Sequence, residues 1–180
     1  MARIIRSRQV TLRQPTTQDE ATFLAAVRRS RKLYGRYANP PSTTERFHAA
    51  LLRLQDPSHE SFLVVDAATD DLVGVINLNE IVRGPFQGAY LGYYGFEPFV
   101  GQGLMRAGLA LVIDQAFGKL RLHRLEANIQ PDNEPSLALV RRLGFQREGY
   151  SPRYLKLAGR WRDHERWALL REEWRGRKRE

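Results

Sequence analysis

Cysteine is absent from this 180-residue chain. Its absence removes thiol nucleophiles, thiolate metal ligands, disulfide staples and dithiol redox motifs together, and fits a reducing compartment. Histidine is scarce, at four residues, and methionine scarcer, at two. An uncharged apolar stretch such as residues 107–113 falls far short of the ~20 residues that a bilayer-spanning helix needs. The opening Met1-Ala2-Arg3-Ile4-Ile5-Arg6 lacks the apolar h-region of a secretory signal, so neither a membrane span nor export is expected, and the cytoplasm is the expected location. Internal repeats and low-complexity tracts are missing too. A chain of this length can bury roughly 70% of the surface its unfolded form exposes. One domain over residues 1–180, with a core that needs no staples or metal, is therefore expected.

Acidic charge is the minority: 29 Lys and Arg against 20 Asp and Glu leave a formal charge of 29 − 20 = +9. The excess gathers at Arg3, Arg6, Arg8 and Arg13, at residues 28–36 and at residues 171–179. Such clusters raise encounter rates with polyanions, among them nucleotides, acidic proteins and ribosomal RNA. A merely solvated basic surface is the alternative. The chain has no aromatic, glycine-bearing strand of the RNA-recognition type and no repeated arginine-glycine tract. RNA is thus read as a neighbour of this chain and not as its substrate.

Apolar periodicity supplies the elements. Val10 and Leu12 alternate with polar residues as in a strand, and Phe23, Leu24 and Val27 then recur at helical spacing behind Thr17 and Asp19. Asn39-Pro40-Pro41-Ser42 breaks the chain before an amphipathic helix over residues 44–54. Residues 62–65, 72–76 and 90–94 read as three strands of an antiparallel meander. Met105, Leu109, Val112, Ala116 and Phe117 share a helical face whose opposite side is also apolar, so that helix must be buried. A strand over 123–129, a helix over 134–143 stopped by Gly144, and strands over 146–154 and 163–170 with a turn near Ala158-Gly159 complete an α/β domain with a mixed sheet.

The most informative local event is the strand ending near Phe96, then Val100-Gly101-Gln102-Gly103-Leu104, then at once the buried helix. Unpaired N–H groups at the helix start, with the positive end of its dipole, favour a phosphate, and glycine lets a pyrophosphate approach the backbone. A simple tight turn is the alternative. The third glycine position of a dinucleotide fingerprint is Arg106, and no Lys-Ser or Lys-Thr follows, which demotes Rossmann and P-loop readings. A second constellation runs from Asn128 to Gly144-Phe145: Asn133 is a good N-cap with Ser136 in the first turn, and Gly144 is a C-terminal cap.

Together with the strand carrying Glu126, these segments resemble the GNAT acetyltransferases, and within them the RimJ/RimL protein N-terminal acetyltransferases. The resemblance covers some three-fifths of the chain, residues 63–174. It rests on Gly74-Val75, residues 77–83, Tyr90-Leu91-Gly92-Tyr93, Gly101-Gln102-Gly103-Leu104-Met105, His123-Arg124, Ala127-Asn128, Arg142-Leu143-Gly144-Phe145, Glu148-Gly149-Tyr150 and Trp161-Arg162-Asp163-His164. It implies the GNAT α/β (α+β) fold, a mixed and mostly antiparallel sheet of about six to seven strands flanked by helices. Acetyl-CoA would lie in a wedge between two splayed strands, its pantetheine arm pairing like an added strand. Gly95, Phe96, Val100, Gly101, Gln102, Gly103, Leu104, Met105 and Asn133 would line the cofactor site. The implied partners are acetyl-CoA, a protein N-terminus, of a ribosomal protein above all, and ribosomal RNA against the basic surface; the assembly is a monomer or a homodimer. Departures from the family pattern are Val100 for Gln or Arg, Met105 for a small residue, Gly95 for a larger apolar one, and Leu33-Tyr34-Gly35-Arg36-Tyr37 for a Trp-Pro-like stretch on the acceptor side.

Amine acetylation needs a neutral amine, an aligned thioester and a proton for the leaving thiolate. An α-amine with a pKa of about 7.7–8.0 is roughly a tenth neutral at pH 7, against well under a thousandth for lysine at about 10.4, so an N-terminal acceptor needs only a weak base. Glu126 is the candidate base, directly or through water; its alternative is an exposed strand carboxylate paired to Arg124 or Arg141. The leaving thiol, at about pKa 8.5, needs only a hydroxyl donor. Ser136 is the candidate, with a first-turn cap as its alternative, and Asn133 would hold the pantetheine amide. Asp163 and His164 are read as structural, the four histidines offer no metal spacing, and Tyr93, Tyr94, Tyr150 and Tyr154 are read as core and groove wall. Two competing readings keep the fold: acetylation of a small-molecule amine, and a non-catalytic module bound to RNA or the ribosome.

Overall fold

The computed structural model describes residues 5–35 and 37–177. Arg3, Arg36 and Arg179 of the basic clusters lie outside them. Eight strands form one sheet in the order β1-β2-β3-β4-β5-β6-β8-β7: β1 (Ile5–Arg6), β2 (Val10–Arg13), β3 (Glu60–Asp66), β4 (Leu72–Val82), β5 (Gly88–Gly95), β6 (Arg124–Ile129), β7 (Gln146–Leu157) and β8 (Arg160–Leu170). All neighbours are antiparallel except β5 and β6. The two-residue β1 and the lengthening of β7 and β8 exceed the expected six to seven strands and their bounds. The β7–β8 turn falls at Ala158 (φ 47°) and Gly159 (φ 78°), as expected, in the left-handed pair that two-residue hairpins favour.

Helices cover both faces. On one lie α1 (Glu20–Arg29), α2 (Arg31–Tyr34) and α3 (Thr44–Arg53); on the other lie α4 (Leu104–Gly118) and α5 (Glu134–Leu143). Phe23, Val27, Phe47, Leu63, Val75 and Phe96 make the first core, and Ile76, Leu91, Leu109, Ile113, Leu125 and Val140 belong to the second. Helix α4 is largely apolar on both sides, with Arg106 exposed, because it is covered on most sides. It comes so close to the sheet that a Cβ at Gly108 would sit 2.9 Å from both methyls of Val64. Helix α6 (Arg171–Arg177) was not visible in the pattern of charges; its Trp174 is buried and donates from Nε1 to Asp114 Oδ1 of α4 at 2.8 Å.

Candidate active site

Strands β5 and β6 run parallel, and their register contains only Gly88 with Arg124, Ala89 with Leu125, and Tyr90 with Glu126. Beyond that point the strands separate. Leu91–Gly95 remain paired to β4 on one side, and Ala127–Ile129 remain paired to β8 on the other. The main-chain groups that face across the gap have no strand between them, so the gap can accept an extended amide-bearing ligand as an added strand. The Asn128 side-chain oxygen, on β6 at this gap, is buried without a hydrogen-bond partner.

The gap leads to the glycine turn. Gly101 and Gly103 have φ of 80° and 81°, and a Cβ at either would meet nothing within 4 Å, so open space lies above both. Gly103 is the N-cap of α4 and supplies no side-chain acceptor, and the first turn carries no acidic residue. The amides and the positive dipole end are therefore free for an anion. Val100 is exposed, Leu104 is buried, and the Gln102 amide turns back to donate to Pro98 O at 3.0 Å, so all three can offer only main chain to a phosphate. Phe96 is wholly buried in the first core, its N–H bonded to Val73 O at 2.7 Å and its carbonyl to Phe99 N–H at 3.0 Å. It anchors the end of β5 and presents no group to the gap.

Two departures from the family pattern compensate one another. Gly95 pairs with Gly74 across β4 and β5, and the Met105 side chain lies over both: Cγ is 3.6 Å from where a Gly95 Cβ would be, and Sδ 2.5 Å from where a Gly74 Cβ would be. The large helix residue occupies room left by two small strand residues. Pairing of β4 with β5 stays regular through Gly95, and the irregularity in that ladder lies between Asn79 and Val82.

Ser136 and Tyr93 meet on the α5 side of the gap. The Tyr93 hydroxyl lies 2.6 Å from Ser136 Oγ. Burial pushes the Tyr93 phenol up to about pKa 12, against the pull of that hydrogen bond. Asn133 is the N-cap of α5, and its Oδ1 accepts from Ser136 N–H at 3.4 Å. The helix is thus capped by Asn133, which leaves the Ser136 hydroxyl to Tyr93. The sequence had assigned Tyr93 to core and groove wall; an aromatic in a strand carries no signal that a helix start will be laid against it.

Glu126 sits at the last paired position before the gap, on the opposite sheet face from the core residues Leu125 and Ala127. Arg124 Nε donates to Glu126 Oε1 at 2.8 Å, and both terminal nitrogens of Arg124 engage Glu148. The Arg124 hydrogen bonds hold the Glu148 carboxyl below its ordinary pKa. Glu126 is ion-paired to Arg124 but not exposed, its side chain being 17% accessible, and it lies across the sheet from the Ser136–Tyr93 pair.

That face carries a groove of about 470 Å³ whose walls include Phe47, His59, Ser61, Asn77, Asn79 and Tyr94. The segment in place of the family's Trp-Pro-like stretch bridges the gap: Tyr34 packs edge-on against Tyr94 at 5.9 Å, and the Tyr37 hydroxyl donates to Asp132 O at 3.1 Å. Ser30 Oγ accepts from Glu97 N–H at 2.9 Å and Arg29 Nε donates to Glu97 O at 2.7 Å, tying the end of α1 to the loop before the glycine turn. Neither link is legible in the sequence, because each joins segments distant along the chain.

Asp163 clasps a bulge in the hairpin, accepting from the Tyr150 hydroxyl at 2.5 Å and from Arg153 N–H at 2.7 Å. His164 is buried and bonded through Nδ1 to Arg162 O at 2.9 Å, and burial lowers its pKa. Both have the structural roles expected. Among the described residues no group of three or more His, Cys, Asp or Glu could hold a metal, and no helix is long and apolar enough to cross a membrane.

Comparison with known proteins agrees with this geometry. Residues 9–146 match the family described as the acetyltransferase (GNAT) domain. The [Ribosomal protein uS5]-alanine N-acetyltransferase of Escherichia coli (strain K12) is 39% identical over 113 residues, 63% of this chain and 58% of that relative. The chain's match thus spans less than two thirds of that relative's length. The ribosomal-protein-S5-alanine acetyltransferase of Vibrio fischeri has a crystal structure that superposes with a TM-score of 0.84 at 27% identity, covering 96% of this chain and 98% of that one. The Mycobacterium smegmatis RimJ structure in complex with CoA-disulfide gives 0.84 at 26% identity, covering 96% and 88%. A splayed parallel strand pair, an uncapped glycine turn and a family match over residues 9–146 lead to one conclusion: the chain belongs to the GNAT acetyltransferase family.

Proposed function

We propose that this protein transfers the acetyl group of acetyl-CoA to the N-terminal α-amine of a protein, with a ribosomal protein as the acceptor. The observation that carries the reading is the gap that opens past Tyr90 and Glu126 onto the free amides of Gly103 and α4, with the Ser136 hydroxyl at its side. Bound acetyl-CoA supplies an activated acetyl thioester. The amides of the 101–104 turn would hold its pyrophosphate, and the open edges of β5 and β6 would hold its amide arm. The name of the E. coli relative and the CoA-bound M. smegmatis neighbour support both the donor and the acceptor class.

Residue roles follow from the two faces. The groove-bearing face, with Glu126, Tyr94 and Asn77, is the side from which an amine can approach. The opposite face, with Ser136 and Tyr93, is the side on which the sulfur leaves. A phenol kept protonated to about pKa 12 can donate to Ser136 Oγ and leave the serine proton for the thiolate. Glu126 is held by Arg124 at 2.8 Å, and an α-amine already roughly a tenth neutral at pH 7 asks little of a base. The groove's charged lining is Arg46, Arg53 and Glu60, with His59 beside them. Arg53 is matched by Glu80 at 3.8 Å, so the lining has no net negative charge to draw a polycationic acceptor such as a polyamine.

The test is intact-mass analysis of purified small-subunit ribosomal proteins after incubation with the full chain and acetyl-CoA, with mapping of any added acetyl group. Acetylation confined to one N-terminus is the expected result. Acetyl-CoA binding without acetylation of any ribosomal protein would move the reading to a small-molecule amine. Loss of acetyl-CoA binding as well would overturn transfer altogether.

A further inference from the structure

Ser61, Asn77 and Asn79 line the groove, and Asn128 stands beside the gap on β6, two residues beyond Glu126 and on the same face. None of these four side chains has a hydrogen-bond partner among the described residues. Their neighbours Leu63 and Val75 on that face belong to the first core. Three of the four are aligned by the ladders. Ser61 lies opposite Asn77, and Asn77 opposite Gly92. The parallel register of Tyr90 with Glu126, carried two residues on, sets Asn128 across the gap from Gly92. Ser61, Asn77 and Asn128 thus form a row from groove to gap, in which Gly92 leaves a space: a Cβ there would meet only Asn79 Nδ2, at 3.4 Å. Arg166, opposite Asn128 on β8, does not close the row, because its Nη2 is turned over Gly149, 2.6 Å from where a Cβ would stand. Asn128 Oδ1 is buried, and an unmet buried acceptor is costly unless a ligand meets it.

We propose that this row reads the main chain of the acceptor: Asn128 takes the α-amine and the first carbonyl, and Asn77 and Ser61 take the next peptide unit. The inference rests on the acetyl-transfer reading above and narrows its acceptor to an amine whose adjacent carbon bears a carbonyl. A carboxamide sets an acceptor beside two donors, which matches an α-aminoacyl group. Oδ1 accepts one amine N–H, Nδ2 donates to the carbonyl, and the nitrogen lone pair stays free for the thioester carbon. An alkylamine or polyamine brings N–H groups and no carbonyl. It would leave the Asn128 Nδ2 donor and Asn77 unmet, and a site built around such bonds rejects the analogue that lacks the partner. The row is on the face away from Ser136 and Tyr93, so it meets the amine and not the leaving sulfur.

Steady-state acetyl transfer by the full chain is compared on an alanine-initiated hexapeptide and on the same peptide begun with β-alanine, which moves the amine one methylene away from its carbonyl. The wild-type chain should prefer the α-alanyl peptide about tenfold or more in kcat/KM, the scale of one lost hydrogen bond. Asn128→Leu removes the carboxamide at nearly constant volume. KM for the α-alanyl peptide should rise about tenfold, and the preference over the β-alanyl peptide should shrink by about the same factor. Acetyl-CoA affinity should stay unchanged, and Tm should be unchanged or higher, because an unmet polar group gives way to an apolar one. A lower Tm would show that the fold itself holds the carboxamide, and a weaker acetyl-CoA affinity would assign it to the cofactor; either overturns the inference. So does a wild-type chain indifferent to the position of the amine, a comparison that needs no variant, or a preference that survives Asn128→Leu. If ribosomal N-termini are acetylated and the α-alanyl peptide is not, reading of the main chain falls alone. If neither is acetylated while acetyl-CoA binds, the proposed acceptor class falls with it.

Discussion

Ser136→Ala separates two consequences of a single contact. In the folded chain Tyr93 Oη and Ser136 Oγ are 2.6 Å apart, and no other side chain is bonded to that phenol among the described residues. Removing the serine hydroxyl leaves a desolvated phenol with only the long contact to Ser136 O at 3.4 Å. An unsatisfied buried polar group costs about 1–3 kcal/mol, which for a domain of this size lowers Tm by roughly 2–12 °C. Tyr93→Phe removes the phenol and leaves a half-buried serine hydroxyl that water can reach, at a cost below about 1 kcal/mol. The double variant should then be no less stable than Tyr93→Phe alone, giving a coupling of about 1–3 kcal/mol in a double-mutant cycle. Calorimetric unfolding of the four proteins measures it. The same Ser136→Ala protein should show kcat reduced about tenfold or more with acetyl-CoA affinity unchanged, if the serine proton goes to the thiolate. An unchanged Tm would refute the pairing, and an unchanged kcat would refute the acid role.

Gly103→Val places a branched side chain at φ 81° over the space proposed for the phosphates. Acetyl-CoA affinity measured by calorimetry should fall tenfold or more, and wild-type affinity would remove the turn from the cofactor site. Glu126→Gln leaves Arg124 bonded to Glu148, so stability should change by under about 1 kcal/mol, as for other partly exposed ion pairs; a rate loss near a hundredfold in steady-state assays would show that Glu126 is the base after all. His164 has its pKa lowered by burial, so below an unfolded-state pKa of about 6.5 the unfolded chain binds more protons than the folded one. Its contribution is complete above that pH and is lost as pH falls. The drop in Tm between pH 7.5 and pH 5.5, a window of about two units around that pKa, should be smaller in His164→Gln, and an equal drop would assign the acid sensitivity elsewhere.

Sequence by itself determined what depends on neighbours along the chain. The burial of α4 follows from a surface that is largely apolar on both sides. The turn with its free amides follows from Gly101 and Gly103 at a helix start, and the capping of α5 from Asn133 and Gly144. Each is a matter of backbone conformation or periodicity within one or two turns, and those preferences are written locally. Tertiary structure decided what depends on segments meeting at a distance. The sequence could place Glu126 on a strand, but only the register with Tyr90 puts it at the opening of the gap and only Arg124 and Glu148 make it an ion-paired carboxylate. Tyr93 and Ser136 lie 43 residues apart. Ser30 and Glu97 lie 67 apart and Tyr37 and Asp132 lie 95 apart. Their contacts carry no local signature because any strand tyrosine or helix-end serine looks alike until the sheet order brings its partner within reach. The compensation of Met105 by Gly74 and Gly95 has the same cause: volumes are matched across packed elements, and packing is set by the fold as a whole.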